Sequence, residues 1–175
     1  MSLLLNFSFL KKVKQWGEVM EVRLEKAIEN DAQVIFDIQV KAFMPLLDTY
    51  KDFETNPANE TIEKVITRIN NRNGGFYKIL ADNKLVGAIC VFWKEDVQFW
   101  ISTMFILPSY QGKGIAYKAI TLIEEMFPQA TTWELATILE EEGNCYLYEK
   151  IGYNKTGVSK KLNDNATLIF YKKDC

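Results

Sequence analysis

The stretch ISTMFILPSYQGKGIAYKA, residues 101–119, decides how this chain is to be read. An apolar run with strand character passes through Pro108 into a turn carrying Gly112 and Gly114, and an amphipathic helix begins directly after. The first amides of a helix have no intrahelical acceptor, and the aligned peptide dipoles add partial positive charge there, so this order can hold an anion such as a diphosphate. Gly112 and Gly114 let the backbone approach such a group without a Cβ in the way, and Lys113 adds a cation. An ordinary strand, turn and helix without a ligand has the same pattern. Two common phosphate motifs do not fit. A Walker loop needs Ser or Thr after the lysine, where Gly114 stands, and a dinucleotide fingerprint needs three glycines in a first strand-to-helix turn.

Working outward, 175 residues suffice for one domain with one core. A net charge of -2 gives no general attraction for nucleic acid, so any anion site is local. The chain has no histidine, which removes Ser-His-Asp and Cys-His catalysis and HExxH metal sites. Cys90, Cys145 and Cys175 form no CxxC pair, which argues against a disulfide scaffold or a cysteine-rich zinc site and for a reducing compartment. Cys90 reads as a strand-core thiol; Cys145 is core or reactive. The start MSLLLNFSFLKK is apolar and then basic, the wrong order for a secretory signal and too short to span a bilayer. The expectation is a cytoplasmic protein, with residues 1–20 an N-terminal extension and residues 21–175 the single domain.

Asn30 and Asp31 suit a helix cap, and Val34, Ile35, Ile38, Ala42 and Phe43 recur at helical spacing until Pro45. Residues 43–56 show no clean period and read as a loop or short helix forming a pocket wall. A second helix is expected over residues 59–70, strands over 76–81, 84–92 and 98–107, a helix over 114–126, a strand over 131–138 and a short helix over 144–150 closed by Gly152. Asp82-Asn83 marks a hairpin turn, and residues 153–159 and 167–172 a final hairpin.

On two motifs together the chain resembles the GNAT superfamily, the Gcn5-related N-acetyltransferases, over residues 21 to 173. One is Gln111-Gly112-Lys113-Gly114-Ile115-Ala116 after the strand ending Ile106-Leu107-Pro108. The other is Asn144-Cys145-Tyr146-Leu147-Tyr148-Glu149-Lys150-Ile151-Gly152-Tyr153. The resemblance implies an α/β (α+β) fold with a mixed, mostly antiparallel central sheet flanked by helices, two parallel strands splaying at the cofactor site. It implies acetyl-CoA as acyl donor, with CoA as product, and an N-acetyltransferase acting on a primary amine of a small molecule, peptide or protein. A non-catalytic CoA-binding or regulatory module is the rival. A homodimer through a sheet edge or helices is implied too, with neither nucleic acid nor membrane as partner.

By the same resemblance Gln111, Gly112, Lys113, Gly114, Ile115 and Ala116 hold the diphosphate, Met104, Phe105 and Ile106 pair through their backbone with the pantetheine arm, and Asn144 binds the cofactor. Asn144 and Tyr148, four apart, share a helix face, and Tyr148 is the candidate partner of the departing thiolate. The strand over residues 98–106 has no carboxylate where some family members place a glutamate. Glu54, Glu95, Asp96 and Glu140-Glu141-Glu142 then remain as acids for proton removal, the triplet best placed. Trp93, Trp100, Trp133, Phe43, Tyr50 and Phe53 are either core or an apolar acceptor wall.

Overall fold

Among the described residues eight strands form one sheet in the order β1-β2-β3-β4-β5-β6-β8-β7. They are β1 Lys11–Gln15, β2 Glu18–Lys26, β3 Gly74–Ala81, β4 Lys84–Lys94, β5 Gln98–Ile106, β6 Thr132–Ile138, β7 Asn154–Lys161 and β8 Thr167–Asp174. The computed structural model describes residues 11–15 and 18–175, so the expectation for the first ten residues lies outside the described residues. Within the stretch read as an extension, β1 pairs antiparallel with β2.

Every ladder is antiparallel except β5 with β6, which run parallel. The central strands are buried on both faces. Tyr77, Ile79, Ile89 and Val91 point into a core with Ile115, Ile120 and Ile123, while Phe76, Ala88, Cys90 and Phe105 point into a second core with Ile35, Ile38 and Val65. Such strands read as near-continuous apolar runs. The tight β3–β4 turn at Asp82-Asn83 has φ of 48° and 65°, as its Asp-Asn sequence predicts. Gly87 is required by close approach, since a Cβ there would overlap the Phe105 carbonyl oxygen.

Helices α1 (Ala32–Tyr50) and α2 (Ile62–Ile69) cover one face, α3 (Ile115–Met126) and α4 (Glu142–Ile151) the other. The first helix does not end near Pro45; it continues to Tyr50. Proline removes one bond to the carbonyl a turn earlier, but burial of Leu47 and Tyr50 holds the following turn, and the Thr49 hydroxyl donates to the Pro45 carbonyl at 2.9 Å. Packing here overrides propensity. The edge strand β7 is exposed along its whole length, and its register with β8 shifts between Lys155 and Ser159, around Gly157 at φ 86°.

Candidate active site

The parallel pair is hydrogen-bonded only from Gln98 to Ile101 against Thr132 to Leu135. At that point Ser102 is an extra, unpaired residue in the β4–β5 ladder, where the register steps from Val91 with Ile101 to Cys90 with Thr103. A bulge bends its strand and raises local twist. Beyond it β5 and β6 part, leaving facing backbone groups without a ladder partner and opening a slot down the middle of the sheet.

Two cavities meet in this slot. The larger, about 460 Å³, is lined by Met104, Phe105, Ile106, Gln111, Gly112, Gly114, Ile115, Ala116, Asn144 and Tyr148 among others. Ten of the eleven residues read from the sequence as a site thus converge on one cleft. Phe105 is 4% exposed and packs edge-on against Phe43 and Phe76, and its carbonyl oxygen is turned to Gly87 of β4, so it forms a wall of the cleft rather than a hydrogen-bonding edge. Lys113 is the exception: it does not line the cleft, and its ammonium lies 5.2 Å from the Tyr110 ring centroid.

The turn itself is built for approach by an anion. Gly112 and Gly114 sit at φ 71° and 78°, and a Cβ on Gly112 would meet nothing within 4 Å, so the backbone is bare there. The first bond of α3 runs from the Lys118 amide to the Gly114 carbonyl at 3.2 Å, leaving Ile115, Ala116 and Tyr117 amides without an intrahelical acceptor. Gln111 is spent on structure: its side-chain amide donates to the Ile106 carbonyl at 2.9 Å, pinning the turn to the end of β5.

Tyr148 stands where the two cavities join, lining both. It is 9% exposed, lies against the Tyr153 and Tyr171 rings, and its hydroxyl has no hydrogen-bond partner among the described residues. Burial, with the nearby Cys145 adding, pushes its pKa up to about 12. The hydroxyl therefore keeps its proton at neutral pH and faces the cleft as a donor. Cys145 is buried in the late helix, its Sγ 3.8 Å from the Leu139 carbonyl oxygen.

The second cavity, about 280 Å³, extends from the same junction between Ile101–Met104 of β5 and Leu135–Ile138 of β6. Its other walls are Phe43 and Leu46 of α1, residues 52 and 55–57 after that helix, and Leu162 and Leu168 at the β7–β8 turn. The segment after α1 is held rigidly. The Gln39 side-chain amide, fully buried, donates to the Pro57 carbonyl at 2.9 Å and to Glu60 at 3.1 Å. Arg68 grips both Glu60 oxygens at 2.6 and 2.8 Å, a bidentate pair. Burial pushes the Glu60 carboxyl up, but the Arg68 hydrogen bonds and charge outweigh this and hold it below the ordinary carboxylate value.

Among the acids weighed from the sequence, Glu141 alone lines the cavities, and it lines both. The Tyr50 hydroxyl donates to it at 2.6 Å. That hydrogen bond, then burial, push the Tyr50 pKa up to about 12, so it remains a donor. Glu140 instead accepts from the Thr167 amide at 3.0 Å, and Glu95-Asp96 form the β4–β5 turn at φ 55° and 58°. The aromatic wall is mostly elsewhere. Trp133 is core at 1% exposure, Trp93 packs on Phe99 and Phe127, Trp100 stacks on Phe92, and Phe53 is exposed, leaving Phe43 as the aromatic that lines the cavity. Asp52, Thr103 and Thr137 line it without having been singled out from sequence. Asp52-x-x-Thr55, an Asx-type turn signal after α1, was the available hint.

No curated protein sequence matches the chain. Solved structures share its fold. The Escherichia coli ribosomal-protein-S18-alanine N-acetyltransferase superposes with TM-score 0.70 at 11% identity, covering 87% of this chain and 93% of that one. The PaiA N-acetyltransferase from Thermoplasma acidophilum, solved with coenzyme A, gives 0.68 at 15% identity, 88% and 99%. The microcin C7 self-immunity acetyltransferase MccE, solved with acetyl-CoA and AMP, gives 0.67 at 16% identity, 88% and 92%. The model of the acetyltransferase (GNAT) family matches residues 35–153, which include both motifs, the splayed strands and Tyr148. The chain belongs to the acetyltransferase (GNAT) family and is an acyltransferase whose acyl donor is acetyl-CoA.

Proposed function

We propose that this protein transfers the acetyl group of acetyl-CoA to a primary amine, with the donor in the larger cavity, the acceptor in the smaller, and Tyr148 at their junction. The carrying observation is Tyr148 itself, its ring buried and its protonated hydroxyl without a partner among the described residues where both cavities open. The bare amides from Gly112 to Ala116 suit the diphosphate, and on the unladdered edge of β5 the backbone of Met104 and the amide of Ile106 offer hydrogen bonds to a chain of amides lying in the slot. Asn144 lines both cavities and can fix the donor near the reacting bond.

Acetyl-CoA supplies the electrophilic thioester carbon and departs as the thiol. Overall an ammonium acceptor becomes an amide, with one of its protons ending on sulfur and one in solvent. Burial holds the Tyr148 proton, with the pKa pushed up to about 12, so Tyr148 acts as a hydrogen-bond donor rather than by giving up its own proton completely. Its contribution is a hydrogen bond to the developing thiolate, along which a proton released by the acceptor can follow. We place this activity in the cytoplasm, in keeping with three free cysteines, one of them exposed.

Calorimetric titration with acetyl-CoA, paired with thiol release over an amine panel, tests this reading. Tyr148→Phe should bind acetyl-CoA within about twofold of wild type and turn over about 100-fold more slowly. A folded wild type that binds no acetyl-CoA, or a Tyr148→Phe variant with undiminished kcat, overturns it. Binding without turnover of any amine favours the CoA-binding module instead.

A further inference from the structure

Among the described residues the 280 Å³ cavity is lined by two carboxylates, Asp52 and Glu141, and by no lysine or arginine. Among the described residues neither acid has a cation within ion-pair distance. Asp52 is 8% exposed; its Oδ1 accepts from the Thr55 amide at 3.1 Å and its Oδ2 from the Thr55 hydroxyl. Glu141 accepts from the neutral Tyr50 hydroxyl. A carboxylate has about four acceptor directions, so each retains capacity for a further donor. Buried charge is costly unless it is paired, and elsewhere the chain pairs its half-buried acids, as Arg68 does for Glu60 and Lys173 for Glu124.

Further polar atoms lack a partner in the same place. Thr103 Oγ1 is buried with no hydrogen bond. The hydroxyls of Thr137, on a residue 8% exposed, and of Tyr148 likewise have no partner among the described residues. The two acids are also separated in role. Glu141 lines both cavities, as Tyr148 does, whereas Asp52 lines only the smaller one. Phe43, Leu46, Ile101, Leu135 and Leu168 contribute apolar wall to that cavity. At 280 Å³ it lies just below the range usual for drug-sized ligands, which suits a short chain.

We infer that the acceptor is a small dication, a primary amine joined by a short hydrocarbon spacer to a second positively charged group, with Asp52 holding the distal charge and Glu141 receiving the reacting ammonium and its proton. This rests on the acetyl-transfer reading above and narrows it. The amine reaches the thioester uncharged only after losing a proton; Glu141 takes that proton and returns it to solvent, so no further reactant is required. Tyr50 positions Glu141 through its donated hydrogen bond.

The experiment compares diaminobutane with pentylamine, nearly equal in length and differing in the distal charge, by thiol release from acetyl-CoA with the full chain. Wild type should favour diaminobutane in kcat/KM by about 100-fold, the usual scale for a desolvated charge pair. Asp52→Asn should collapse that ratio to within about threefold, mainly through KM for the diamine, with acetyl-CoA affinity retained as proof of folding. Because Asp52 also braces its own turn, Leu46→Lys is the second variant: it brings a competing ammonium into the cavity and should lower the ratio by at least about 30-fold. Equal use of the two amines by wild type, or an unchanged ratio in both variants, overturns the inference. If acetyl-CoA binds and either amine or a peptide is acetylated without preference, only this inference fails; if acetyl-CoA does not bind, the transfer reading fails beneath it.

Discussion

The two halves of the cleft are made in different ways. The donor half is written in backbone: a strand end, two glycines at positive φ and the open amides of α3, all within residues 104–116. The acceptor half is written in side chains that meet from remote segments. Tyr50 reaches Glu141, the Asn163 amide donates to the Tyr50 carbonyl at 2.8 Å, and Arg68 and Gln39 lock Glu60 and Pro57. A backbone site is sensitive to conformation and to filled space, whereas a side-chain site is sensitive to single partners lost.

The strongest test of that contrast is Gly112→Glu. A carboxylate there fills the open space over the turn and repels a diphosphate, and acetyl-CoA binding should weaken by more than about 100-fold in calorimetry. The φ of 71° costs about 1–2 kcal/mol with a side chain, so the melting temperature should fall by only a few degrees. A large loss of stability with affinity preserved would break the comparison.

Arg68→Ala strikes the other half. It leaves the half-buried Glu60 with the Gln39 amide at 3.1 Å and the Lys64 ammonium at 3.5 Å in place of its bidentate partner and should cost about 2 kcal/mol in denaturant unfolding, raising KM for the amine while acetyl-CoA affinity stays within about twofold. The pH dependence has a definite sign. Because Arg68 holds the Glu60 carboxyl below its ordinary value, the pair stabilises the fold above the unfolded carboxyl pKa, and that stability is lost as pH falls through the folded value. The acid limb of the stability profile should therefore flatten in the variant. The smallest effect is expected of Lys113→Ala, since the exposed lysine does not itself line the cleft and its ammonium rests over the ring of Tyr110, which does; acetyl-CoA affinity should change by less than about threefold. A tenfold loss would show that the lysine swings onto the donor.

This contrast also separates what could be read from the sequence from what could not. Gly112, Gly114 and Gly152 advertise their conformations locally, and residues 115, 119, 122 and 123 show a helix period, so the order of elements from β3 onward and the position of the donor loop were legible. The acceptor walls were not. Nothing near Glu141 in sequence marks it over Glu140 or Glu142, because its selection depends on Tyr50, ninety-one residues away. Pro45 read as a stop because the burial of Leu47 and Tyr50, which carries α1 onward, comes from tertiary packing. The tryptophans read as pocket or core alike, because an aromatic strand residue has the same local pattern in either setting.

The exposed strand β7 has a consequence for how copies of the chain meet. Lys155, Lys160 and Lys161 line its length, and the irregular register around Gly157 breaks the even spacing of amides and carbonyls that a second strand would need. That rim is a poor template for sheet continuation from one molecule to the next. Strand-by-strand growth in a concentrated solution is disfavoured on this side.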